Sequence, residues 1–144
     1  VITDGFHLHE KGEKVCFIAT GFMVHTAFKL AEEVNKSGFK VGVIDIFDLT
    51  NFSNEKLKEV LEFYSGVVSM EEGFSGRGGL DSMLFEFIAK SKLNLKTLSI
   101  GVEPGYSFEL GSREELHEKV GIGIQSAFKK IQPFVYAIMN EIME

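Results

Sequence analysis

The chain has 144 residues, 44% of them hydrophobic, which is enough apolar material for one core and too little length for two ordinary domains, so residues 1–144 are expected to form a single domain. A formal net charge of −6, with no stripe of Lys or Arg, argues against a nucleic-acid or anionic-membrane partner. No apolar run approaches the roughly 20 residues of a membrane span, and no signal-peptide pattern opens the chain.

Residues 5–9 read as a short first strand, followed by a charged turn at residues 10–14. Strand side chains repeat every two residues, so His7 and His9 share a face; without a third ligand nearby, an exposed edge is the plainer reading than a metal site. Residues 15–19 are continuously apolar, the mark of a strand covered on both faces by helices in a parallel sheet. Cys16, the only cysteine, lies inside this run, reads as core packing, and fits a reducing, cytoplasmic setting. Thr20 and Gly21 break the run. Val24, Ala27, Phe28, Ala31 and Val34 then fall on one helical stripe, with Lys29, Glu32, Glu33 and Lys36 off it. Gly38 sits where a left-handed residue would end the helix, and residues 39–46 form a second strand, parallel to the first through a right-handed crossover.

After a loop over residues 47–52, Ser53 can N-cap a helix with the stripe Leu57, Val60, Leu61 and Tyr64, ended by Gly66. Residues 67–70 are the next buried strand. Leu80, Leu84, Phe87 and Ile88 mark another helix, ending near Lys92, and residues 95–102 a further strand. Ser112 and Glu115 have the spacing of a capping box, so a short helix is expected to reach Val120 and stop at Gly121. A final helix carries Ile124, Ala127, Phe128 and Ile131, and Pro133 either kinks or restarts it. Residues 133–144 then read as an extra terminal helix, with Phe134, Val135, Ile138, Met139, Ile142 and Met143 on a stripe that either the chain's own sheet or a second copy must cover. The alternation of strand and helix specifies an α/β fold, a three-layer α/β/α sandwich.

The loop over residues 73–79 is rich in glycine, follows a strand and opens a helix. Ser75, Gly76, Arg77, Gly78 and Gly79 are the candidate anion-binding residues, since free backbone N–H groups at a helix start beside an arginine suit an anion. Gly79 stands where a P-loop would have lysine, and no G-x-G-x-x-G passes through the segment. The competing reading is that the glycines only allow a tight turn, with Glu71 and Glu72 repelling anions at the same edge. Ser75, Ser82 and Thr20 are possible nucleophiles and His25 and His117 possible bases, but no nucleophile-elbow pattern joins them. No catalytic, cofactor-binding or metal-binding residue is assigned.

Three segments carry a resemblance: VCFIATGFMVHTAFKLAEEVNKSGFKVGVIDIFDL, VVSMEEGFSGRGGLDSML and FELGSREELHEKVGI. Together they resemble the C-terminal domain shared by transketolases and related thiamine diphosphate enzymes, over nearly the whole chain up to about Ile131. Phe22 departs from the small polar residue that the family often has there, and the tail beyond Pro133 is longer than usual. The resemblance implies a five-stranded, mostly parallel mixed sheet whose first strand is antiparallel, with the Val15 and Val67 strands side by side. It implies a transferase that moves a two-carbon ketol unit between sugar phosphates, working as a homodimer. Thiamine diphosphate and Mg²⁺ would be held by upstream domains or a separate subunit, because the family's G-D-G motif and activating glutamate are absent from this sequence. The domain would then supply subunit contacts and an anion or regulatory site, and be inactive alone. A start at Val1 rather than Met fits an excised fragment. Two other readings stand beside this one: the same domain of a 2-oxoacid dehydrogenase beta subunit or 2-oxoacid:ferredoxin oxidoreductase, and a freestanding ligand-sensing or dimerisation module.

Overall fold

The apolar run at residues 15–19 is the second of five strands in a computed structural model, which describes residues 4–74, 79–102, 117–118 and 121–141. The elements are β1 (Phe6–Glu10), β2 (Val15–Ala19), α1 (Met23–Asn35), β3 (Gly42–Ile46), α2 (Asn54–Leu61), β4 (Gly66–Phe74), α3 (Leu80–Lys90), β5 (Lys96–Val102) and α4 (Ile124–Met139). The sheet order is β1-β3-β2-β4-β5. β1 pairs antiparallel with β3, and the other pairings are parallel. This is the five-stranded, mostly parallel mixed sheet expected.

Why β2 is apolar throughout is visible in the pleat. Val15, Phe17 and Ala19 point into a core shared with α1 and α4, while Cys16 and Ile18 point into a core shared with α2 and α3. All five are fully buried, so neither face could tolerate the alternating polar residues of a half-solvated strand.

Several boundaries differ from expectation for local reasons. The strand expected over residues 39–46 begins at Gly42, because the Val41 N–H turns aside to donate to Asn35 Oδ1 at 3.1 Å. Gly66 does not end α2, which stops at Leu61; it opens β4. β4 in turn extends four residues past Met70 to Phe74, staying paired with β5 across an irregularity between Met70↔Ile100 and Phe74↔Val102. Ser53 does cap α2, its Oγ accepting from the Lys56 N–H at 3.4 Å. Of the helix expected over residues 112–120, only His117 and Glu118 are among the described residues, and both are helical.

The separate terminal helix over residues 133–144 is instead the second half of α4, which runs through Pro133 to Met139. The buried stripe Ala127, Ile131, Val135, Ile138 keeps helical spacing across the proline. Pro133 itself faces solvent, where water can satisfy the carbonyl four residues back that its ring deprives of a donor. That stripe is covered by the chain's own sheet: Val135 and Ile138 belong to the α1-side core, with Phe134 and Met139 packed against it. A Cβ on Gly66 would collide with Ile138 Cδ1. Lys96 and Glu141 close the end of the contact at 3.2 Å. Val135 and Ile138 are therefore spent on the chain's own core.

Two predictions follow from this packing. Ile138→Ala should cost about 2–5 kcal/mol in denaturant unfolding, whereas Phe63→Ala, at a side chain 80% exposed, should change stability by less than about 0.5 kcal/mol. The second concerns alkaline pH. Burial pushes the Cys16 thiol well above its ordinary value of 9.0, and burial, with Cys16 beside it, raises the Tyr64 phenol above its ordinary 10.0. The folded chain thus keeps protons that the unfolded chain releases. Stability should be flat from neutrality to about pH 9 and fall above it, by up to about 1.4 kcal/mol per pH unit for each group. Cys16→Ala should soften that decline, measured as the denaturation midpoint against pH.

Candidate functional site

The helices that follow β2 and β4 pack on opposite faces of the sheet, α1 in one core and α3 in the other. In open α/β sheets a crevice forms at the carboxyl ends of such neighbouring strands. Here Thr20 ties the two strand ends together, its N–H donating to the Met70 carbonyl at 3.3 Å, and Gly21 at φ +61° turns the chain into α1.

The consecutive Glu71 and Glu72 at the end of β4 go to opposite faces. Glu71, 5% exposed, turns to the α3 side, where its Oε2 accepts from the Asp81 N–H at 2.8 Å. Glu72 turns to the α1 side, where its Oε2 lies 2.8 Å from Nε2 of His117. The His117 side chain is 9% exposed, and the Phe22 ring meets it edge-on, centroids 5.4 Å apart. His25 lies beyond, its ring 6.1 Å from that of Phe22. These groups and the start of α4 enclose a cleft of about 440 Å³ lined by Phe22, His25, Thr26, Lys29, His117 and Gln125 among others.

The two helix starts at this edge share one device. Glu118 does for α4 what Glu71 does for α3: its Oε1 accepts from the Gln125 N–H at 2.9 Å, and its Oε2 from the Ser126 N–H at 3.2 Å and the Ser126 hydroxyl at 2.8 Å. Each helix has glycine as N-cap and no side-chain cap of its own. A Cβ at Gly79 would strike the Glu71 carboxylate, and one at Gly123 the Glu118 carboxylate. The glycines make room for a distant carboxylate to satisfy N–H groups that a helix start leaves unpaired.

This bears directly on the candidate anion residues. Ser75, Gly76, Arg77 and Gly78 lie outside the described residues. Gly79 is described, and the first-turn N–H beyond it already holds the chain's own anion, Glu71. The two glutamates read as repelling anions thus divide: Glu71 occupies the helix start, and Glu72 engages a histidine.

The remaining polar candidates do not assemble into a catalytic group. Ser82 binds Asp81 Oδ1 through its N–H at 2.7 Å, and Asp81 Oδ2 accepts from Ser99 Oγ at 2.6 Å. Among the described residues no serine or threonine hydroxyl bonds to a histidine. His7 and His9 do share a face, rings 4.4 Å apart, with His9 Nε2 3.8 Å from Asp45 Oδ2. Among the described residues no three metal-capable side chains gather. Sequence reasoning missed the Glu72–His117 contact and the Glu118 cap. The first joins residues 45 apart, and only the glycine at each N-cap hinted at the second.

Removing the Glu118 carboxylate, as Glu118→Ala, should destabilise the chain by about 1–3 kcal/mol, since it strips the α4 start of its acceptor. Ser69 offers the opposite case, because its hydroxyl is fully buried with no hydrogen-bond partner among the described residues. Ser69→Ala should be neutral or stabilising in the same denaturation assay, as no bond is lost and an unsatisfied group is removed.

Comparison with known proteins gives a consistent result. The family described as "Transketolase, C-terminal domain" matches residues 5–126. The chain is 31% identical over 121 residues to 1-deoxy-D-xylulose-5-phosphate synthase of Chlamydia felis, covering 84% of this chain and 18% of that protein. It is 26% identical over 122 residues to the enzyme of the same name from Aquifex aeolicus, covering 85% of this chain and 19% of that one. The chain thus spans less than a fifth of the length of these relatives. Among solved structures, a chain titled "Split gene transketolase, inactive beta4 tetramer" superposes with a TM-score of 0.81 at 23% identity, covering 95% of this chain and 44% of that chain. Transketolase from Campylobacter jejuni superposes with a TM-score of 0.66 at 21% identity, covering 90% of this chain and 18% of that one. At these identities the structures speak to the fold, and the fold they share is the one described above. The match of the family across residues 5–126, on a five-stranded sheet of this order, establishes that the chain belongs to the transketolase C-terminal domain family.

Proposed function

We propose that this chain serves as the C-terminal domain of a thiamine diphosphate-dependent transferase of the transketolase kind, which moves a two-carbon ketol unit between sugar phosphates. The observation that carries the reading is the family match over residues 5–126. A second reading, a synthase of the 1-deoxy-D-xylulose-5-phosphate type, is favoured by the 31% identity to the Chlamydia felis protein. Both give this domain the same part, contact with neighbouring domains or subunits rather than the chemistry.

The starts of α3 and α4 do not fit the cofactor. A diphosphate seeks free N–H groups at a helix start, and the starts of α3 and α4 are occupied by Glu71 and Glu118. Mg²⁺ seeks carboxylate oxygens with room for water, but Glu71 and Asp81 are buried and bonded to protein groups. Thiamine diphosphate and Mg²⁺ therefore belong to upstream domains or a partner subunit. The contacts with those domains, and with a second copy in a homodimer, fall on surfaces that the core leaves open: Phe47 and Leu49 after β3, 54% and 37% exposed, and Phe63 after α2. Among the described residues no helix is long and apolar enough to cross a membrane.

Titration calorimetry of the chain alone with thiamine diphosphate and Mg²⁺ should give no saturable heat, and no ketose phosphate should turn over. Addition of the cofactor-binding domains should restore turnover, and the acceptor consumed separates transketolase from the synthase. Micromolar cofactor binding by the chain alone would sink the proposal.

A further inference from the structure

Among the described residues, two carboxylates lie at the edge of the cleft between α1 and α4, and both are engaged: Glu72 by His117, and Glu118 by the first turn of α4. Lys29, which lines the cleft, has no ion-pair or hydrogen-bond partner among the described residues. One helical turn before it, His25 lines the same wall, and residues four apart on a helix are neighbours. An imidazole carries an N–H donor in either tautomer. Across the cleft stands Gln125, whose amide can donate as well. Donors from two helices thus line one space, and the carboxylate that lines it with them, Glu118, already accepts from the first turn of α4. Beside them the lining turns apolar, with the Phe22 ring and Ile124. A volume of about 440 Å³ lies within the range of small-molecule sites, roughly 300–1,000 Å³.

We propose that this cleft binds a small, flat organic carboxylate, its charged end held by Lys29 and His25 and its flat body laid against Phe22. A monoanion fits better than a phosphate for a reason written in the structure. The α4 start, which would otherwise favour a dianion, is filled by Glu118, and Glu118 and Glu72 both repel added negative charge at this distance. The site lies on the α1 side of the sheet. It does not depend on which reaction the complete enzyme carries out.

The test is NMR titration of the ¹⁵N-labelled chain with benzoate, with benzamide as the neutral isostere. Benzoate should give saturable shifts confined to the amides of residues 21–29 and 123–126, at an affinity of about 1 mM, an ordinary value for so small a ligand. Benzamide should bind at least about tenfold more weakly, and so should benzoate to Lys29→Met, since each loses a charge-assisted hydrogen bond. Lys29 is exposed, so the variant should keep the wild-type spectrum elsewhere, and Lys40→Met should bind benzoate as the parent does. Shifts that rise linearly without saturation, equal binding of benzamide, or undiminished binding by Lys29→Met would each overturn the assignment.

Discussion

Parallel pairing of β2 with β4, in register from Val15↔Gly66 to Ala19↔Met70, fixes what happens at the functional edge. The chain leaves those two strand ends for opposite faces, so the edge between them opens into a crevice. The same pleat that sorts Val15, Phe17 and Ala19 from Cys16 and Ile18 separates Glu71 from Glu72 one step beyond it. One carboxylate then caps α3, and the other reaches His117 on the far side. A register slip of one residue would exchange the two and leave both cores facing the wrong way.

From that edge the chemistry of the domain follows by elimination of free groups. Helix starts are the usual places for an α/β fold to hold phosphate. Here α3 and α4 each receive a glutamate from elsewhere in the chain, and Gly79 and Gly123 are the residues whose lack of a Cβ lets the carboxylates in. The arrangement stabilises the two helices and leaves little for a diphosphate to bind at their starts. A further opening lies toward α1, where Lys29 and His25 line the wall. Stability rests on the same geometry, because α4 must reach back across the sheet to bury Ile131, Val135 and Ile138 and thereby positions its own first turn against Glu118.

Most of the fold could be read in the sequence because its signals are local. The unbroken apolar run at residues 15–19, the stripe from Ala27 to Val34 and the Ser53 cap each depend on neighbours in the chain, and each matches an element. Where the reading failed, a distant contact decided the outcome. Pro133 was expected to kink or restart the helix, but burial of Val135 and Ile138 against the sheet carries the helix past it, and of the two covers open to the apolar tail the chain's own sheet takes these residues. β4 runs on to Phe74 because β5 continues to pair with it, which nothing in the sequence of β4 announces. The site was less legible still: Glu118 contacts residues seven and eight positions on, and Glu72 meets His117 only because the sheet brings them together.

The claim that the chain's own carboxylates fill the α3 and α4 starts is open to one direct measurement, the amide proton shifts of Asp81, Gln125 and Ser126 in the ¹⁵N-labelled chain. Charge-assisted hydrogen bonds should hold these protons downfield. Glu71→Gln should move Asp81 upfield, and Glu118→Gln should move Gln125 and Ser126. Inorganic phosphate added to the parent chain should leave all three in place. Saturable movement of those amides by phosphate, with no response to the glutamine substitutions, would show that the helix starts are free and would contradict the account.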